Sequence, residues 1–169
     1  PSSARGAVVL LYHRPPARLY RDATTVMEHV HALRRHSRFP VFEVNVEYGF
    51  PSALQREDPG AIVMHYSLFG SGIYQLSPRF LEWLDRSRAY KVCFFQDEFY
   101  YCGRRFRFLN EHAIDCVFTH VDPEYFDQVY GKYTRVSRLE YNIPGYVSEE
   151  LLAAAQRHAR PDDQRIVDV

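Results

Sequence analysis

Short apolar runs that do not alternate constrain this chain most. Ala7-Val8-Val9-Leu10-Leu11-Tyr12, Ala61-Ile62-Val63-Met64-His65, Lys91-Val92-Cys93-Phe94-Phe95 and Ile114-Asp115-Cys116-Val117-Phe118-Thr119 are five or six residues long and rich in β-branched or aromatic side chains. A strand with one wet face alternates polar and apolar residues, whereas a strand covered on both faces reads as a continuous apolar run. These runs are therefore expected to be central strands of a parallel sheet with helices above and below. Val41-Phe42-Glu43-Val44-Asn45-Val46 alternates in part and is expected nearer an edge. Arg135 to Tyr141 adds a sixth candidate strand.

Helical patterns fill the gaps. Ala23, Val26, Met27, Val30 and Leu33 recur at three-and-four spacing behind Asp22, a candidate N-cap. Ser77-Pro78 supplies a cap and a first-position proline for a helix with Phe80, Leu81 and Leu84 on one stripe. Further helices are expected over 104–113, from Asp122-Pro123 to about Val129, and from Ser148 to about His158. The stretch from Tyr48 to Gly60 holds two prolines and two glycines and reads as a loop with at most a short helix. Strand and helix in alternation predict an α/β fold: a doubly wound, mainly parallel sheet with helices on both faces, in one Rossmann-like domain over 1–169. Residues 160–169 read as the start of a linker or strand leading to a further domain.

Charge and cysteine usage exclude several classes. Lys plus Arg and Asp plus Glu each total 21, so no global field favours nucleic acid or an anionic membrane. No apolar stretch approaches the roughly 20 residues of a membrane span. Cys93, Cys102 and Cys116 lack metal or redox spacing, and two of them sit in apolar runs, which fits a reducing, cytoplasmic setting. His29 and His36 are seven apart on the first helix and His31 faces elsewhere, so a solvated helix face is expected there and no metal site.

Ligands of doubly wound sheets sit outside the carboxyl ends of the strands. The connections there are polar: His13-Arg14 after the first strand, His65-Tyr66-Ser67 leading to Gly70-Ser71-Gly72 after the third, and Gln96-Asp97-Glu98 after the fourth. Thr119-His120 follows the fifth and Asn142 with Pro144-Gly145-Tyr146 the sixth. Such a rim suits a polyhydroxylated ligand. The first connection has no Gly-x-Gly-x-x-Gly, no phosphate loop is present, and Gly70-Ser71-Gly72 is not a nucleophile elbow but reads as a turn. Asp97 and Glu98 serve either as general base or hydroxyl acceptor, or as a helix cap and a solvated carboxylate. His65 and His120 either orient a ligand or are structural. The sequence leaves these alternatives open.

Gly60 to Ser67, Ser77-Pro78-Arg79-Phe80, Lys91 to Tyr100, Ile114 to Thr119 and Gly145-Tyr146-Val147 resemble the N-terminal domain of bacterial GT-B glycosyltransferases, family 4-like, along essentially the whole chain. The resemblance implies an acceptor-side domain of a hexosyltransferase-type enzyme that passes a sugar from a nucleotide-sugar donor to a glycan or small-molecule acceptor. It places the donor in a C-terminal domain, so this domain is expected to bind no cofactor itself. Together with the polar strand ends, this makes Asp97, Glu98 and Gln96 the candidate catalytic positions and His13, Arg14, His65, Tyr66, Ser67, Thr119 and His120 the candidate substrate-binding positions. Many relatives carry a Gly-rich first loop, absent from His13 to Ala17, and His where Gln96 stands. Gln96 donates and accepts hydrogen bonds but carries no proton at neutral pH. That departure motivates the alternative of a non-catalytic sugar- or protein-binding domain. A receiver-type signalling domain is disfavoured because Tyr12-His13 ends the first strand without an acidic pair.

Overall fold

A computed structural model describes residues 6–16, 24–70, 75–142, 148–160 and 164. Six parallel strands form one sheet in the order β2-β1-β3-β4-β5-β6, with β1 at Val8–Tyr12, β2 at Val41–Asn45, β3 at Ala61–Met64, β4 at Tyr90–Phe94, β5 at Cys116–Thr119 and β6 at Arg138–Tyr141. The four continuous apolar runs are the four inner strands, and the partly alternating run is the edge strand β2. The domain is Rossmann-like α/β.

The chain steps from β1 outward to β2, returns across β1 to β3, and then proceeds in one direction to β6. Right-handed crossovers running in opposite directions place their helices on opposite faces. Core packing follows that rule. On one face Val9, Leu11, Ile62, Met64, Cys93, Phe95 and Val117 meet Phe80, Trp83 and Leu84 of α2 (Pro78–Arg86) and Phe108 and Leu109 of α3 (Cys102–Glu111). On the other, Val92, Phe94 and Cys116 pack with Val63, Tyr66, Phe118 and Leu33, the last from α1 (Thr24–His36). An ion pair of 2.8 Å between Arg35 and Glu149 ties α4 (Glu149–His158) to α1.

Two expectations differ from the structure. The segment after Asp122 forms no regular α-helix: a 3-10 turn over Pro123–Tyr125 widens into a π turn over Asp127–Gly131, which buries Tyr130 to 1% exposure. Ser77 occupies the N-cap of α2 without a side-chain capping bond, so Pro78 sets that start by its fixed φ. The β2-to-β3 crossover has the expected form, with 3-10 turns over Val46–Tyr48 and Ser52–Arg56 and no α-helix. It leaves an apolar groove of about 700 Å³ lined in part by Val9, Phe42, Val44 and Leu54. Asp22, Ala23, Ser71, Gly72, Pro144, Gly145, Tyr146 and the segment 165–169 lie outside the described residues.

Candidate functional site

The order in which successive strands are added reverses between β1 and β3, the place where doubly wound sheets open a crevice. Here the chain's own groups bridge it. The backbone N–H of His65 continues the ladder to the Leu11 carbonyl at 2.9 Å, and the His13 N–H donates to Ser67 Oγ at 3.0 Å. His13 Nε2 lies 3.0 Å from Glu47 Oε2, and the Arg14 backbone is clamped by Asn45, whose Oδ1 accepts at 3.1 Å and whose Nδ2 donates at 2.8 Å. His13, Arg14 and Ser67 thus close the switch point.

His65 is fully buried and caps the 3-10 turn over Tyr66–Phe69 by accepting from the Ser67 N–H at Nδ1, 3.1 Å away. Its other nitrogen, Nε2, is 2.9 Å from Nδ1 of His29 on α1. The Tyr66 ring lies against both imidazoles, with centroids 3.9 Å from His65 and 5.7 Å from His29, and Phe94 meets His29 edge-on at 5.3 Å. Burial and the neighbouring His29 pull the His65 pKa down to about 3, and burial lowers that of His29. An imidazole with so depressed a pKa is too weak a base to activate the Ser67 hydroxyl beside it.

Beyond this pair lies a cavity of about 260 Å³ lined by Thr25, Glu28, His29, Tyr66, Gln96, His120 and Asn142. The sheet supplies Tyr66, Gln96, His120 and Asn142 from the ends of β3, β4, β5 and β6, and α1 supplies the remaining lining residues. Of the positions expected from sequence, the structure gathers Tyr66, Gln96 and His120 at this cavity, with His65 directly behind. Glu28, His29 and Thr25 were not expected. They stand at i, i+3 and i+4 on one polar stripe of α1, a spacing that by itself reads as a solvated face. His31 and His36 are exposed as anticipated, but His29 is turned onto His65.

Glu98 and Thr119 are engaged elsewhere. Glu98 Oε1 accepts from Thr119 Oγ1 at 2.6 Å and from the Tyr130 hydroxyl, while Oε2 accepts from the His120 N–H at 2.7 Å. Burial and the Glu98 carboxylate hold the Tyr130 pKa well above its usual value, so the phenol keeps its proton and donates. Three donors on one carboxylate make it an anchor for the segment after β4. The same segment is held by buried Arg105, whose Nη1 donates to the Gln96 carbonyl at 2.7 Å and whose guanidinium stacks on Phe95 at 5.1 Å. The Cys102 thiol donates to the Glu98 carbonyl at 2.8 Å. Asp97, exposed with φ of 52°, and Tyr101, with φ of 55°, bound the turn in left-handed conformations that non-glycine residues adopt at a cost of roughly 1–2 kcal/mol each.

Among the described residues no group of three His, Cys, Asp or Glu side chains is placed to hold a metal ion, and no helix is long and apolar enough to cross a membrane. Comparison of the chain with protein-family models, with curated proteins and with solved structures returned no match.

Proposed function

We propose that this chain is the acceptor-binding half of a GT-B-type glycosyltransferase and that its cavity holds a neutral, hydroxyl-rich acceptor. The observation carrying the reading is the cavity's lining: hydroxyl, amide, imidazole and carboxylate groups around the Tyr66 ring, with no Lys or Arg side chain among the described residues that line it. A diphosphate or carboxylate ligand brought there would meet Glu28 and no Lys or Arg among the described lining residues. A sugar finds partners for its hydroxyls and an aromatic face to lie against. In this reading the nucleotide-sugar donor belongs to a second, C-terminal domain.

The chemistry is then divided among few groups. Gln96 orients the acceptor, Glu28 or His120 receives the proton of the attacking hydroxyl, and the exposed Asp97 carboxylate stands at the mouth of the same turn. Glu98 fixes the turn. Saturation-transfer NMR with methyl gluco-, galacto- and mannopyranosides on this chain is the direct test. At least one should bind with effects on the Tyr66 and His29 rings, and Gln96→Ala should weaken it several-fold. No binding by any saccharide, or preferential binding of a nucleoside diphosphate at these rings, refutes the reading. The alternative of sugar binding without chemistry is favoured by Gln96 standing where a proton carrier is common and by the saturation of Glu98. Nucleotide-sugar turnover by the longer protein, abolished in Glu28→Gln, would rule it out.

A further inference from the structure

Hydrogen-bond geometry determines where the protons of the two histidines lie. Nδ1 of His65 faces the Ser67 backbone N–H at 3.1 Å and Ser67 Oγ at 2.9 Å. A backbone N–H only donates, so Nδ1 presents its lone pair. The Ser67 hydroxyl, itself receiving the His13 N–H at 3.0 Å, is free to donate to the same nitrogen. A neutral His65 therefore bears its proton on Nε2 and donates it across 2.9 Å to Nδ1 of His29. His29, accepting at Nδ1, must carry its own proton on Nε2. That nitrogen has no partner among the described residues, and His29, with Asn142, borders both the 260 Å³ cavity and the adjoining groove of about 500 Å³ beneath α1.

We infer that His65 is a positioning residue that locks His29 as an Nε2–H donor toward the ligand, with Glu28 as the neighbouring obligate acceptor. A hydroxyl both accepts and donates, so a fixed donor next to a fixed acceptor selects hydroxylated, uncharged ligands over carbonyl-only or anionic ones. It also excludes His29 as the general base: Nε2 already carries its proton, and the one lone pair, on Nδ1, is taken by the His65 N–H. The ligand part of the inference rests on the acceptor-binding reading above. The tautomer part does not.

Long-range proton-nitrogen correlation of the histidine rings in the free chain at neutral pH tests the lock without any ligand. Both His65 and His29 should appear as Nε2–H tautomers, and an Nδ1–H form or averaging at either ring overturns the inference. His65→Gln keeps an amide N–H toward His29 Nδ1 and should preserve the His29 signature. His65→Phe removes the donor and should release His29 into mixed tautomers. With methyl hexopyranosides as probes, His65→Phe should weaken binding about five- to tenfold, the worth of one oriented hydrogen bond, and His65→Gln should restore most of it. If His65→Phe does not fold, the wild-type tautomers and the glutamine variant still decide. Locked tautomers with no saccharide response refute the acceptor-binding reading and leave the lock standing; saccharide binding with averaged tautomers does the reverse.

Discussion

At the scale of single residues, polar side chains just past the strand ends divide into those that hold the rim and those that face the cavity, although their positions in the sequence look alike. Glu98 and Gln96 are two residues apart, yet one accepts hydrogen bonds from Thr119, His120 and Tyr130 and the other lines the cavity. Glu98→Gln replaces one accepting oxygen by an amide nitrogen that confronts donors, and it should cost about 1–3 kcal/mol in urea denaturation. Tyr130→Phe should cost a similar amount, and the double variant less than their sum, because both remove the same bond. The His29–His65 pair predicts a pH effect. The folded His65 pKa lies at about 3, below its ordinary 6.5. Between these values the unfolded chain binds a proton that the folded chain refuses, so stability is full above pH about 6.5 and falls on acidification toward 3. The slope from this group is about 1.4 kcal/mol per pH unit. His29 adds in the same sense, and of the groups around them Tyr66 and Ser67 stay neutral over this range. His65→Gln should flatten the acid limb of a stability-against-pH curve, and an unchanged limb would remove His65 from that balance.

Elements begin and end here for unequal reasons. Ser148 caps α4 through a bond of 3.1 Å from the Leu151 N–H, whereas Ser77 at the corresponding position of α2 makes no such bond. Both sequences look like caps, and their backbone angles are nearly the same, so the side-chain bond alone separates them. α3 ends at Glu111, and Ala113 just beyond adopts φ of 49° while Ile114 N–H reaches back to the Leu109 carbonyl at 3.0 Å. A left-handed residue after a helix is ordinarily glycine. Ala113 is exposed and distant in the chain from the cavity-lining residues, so Ala113→Gly should raise stability by about 0.5–1 kcal/mol in thermal or urea melts. The segment after Asp122 shows the reverse case. Its proline and cap residues signal a helix, but the demand that the Tyr130 hydroxyl reach Glu98 is met by a wider π turn.

For the molecule as a whole, the sheet sets a polar cavity, with no Lys or Arg among its described lining residues, at its carboxyl edge and closes the ordinary switch-point crevice with His13, Ser67 and Asn45. Inorganic phosphate and free nucleoside diphosphates should therefore leave the His29 and Tyr66 ring signals unmoved in NMR titrations, and Glu28→Lys should make those signals responsive to phosphate. Apolar runs without alternation were enough to specify parallel strands buried on both faces, and helical periodicity between them was enough to specify crossovers. The doubly wound sheet and the residues at its carboxyl rim were thus legible from sequence, because burial on both faces leaves a local pattern. The pairing of His29 with His65, the capture of Glu98 by Thr119, His120 and Tyr130, and the contribution of Thr25 and Glu28 to the cavity were not. Each joins segments at least 21 residues apart in the chain by hydrogen bonds or shared space, and no local pattern records which polar groups will meet once the helices dock. The amino-acid sequence determined the sheet and its polar edge; tertiary packing alone decided which of those polar groups hold the edge together and which are left to bind.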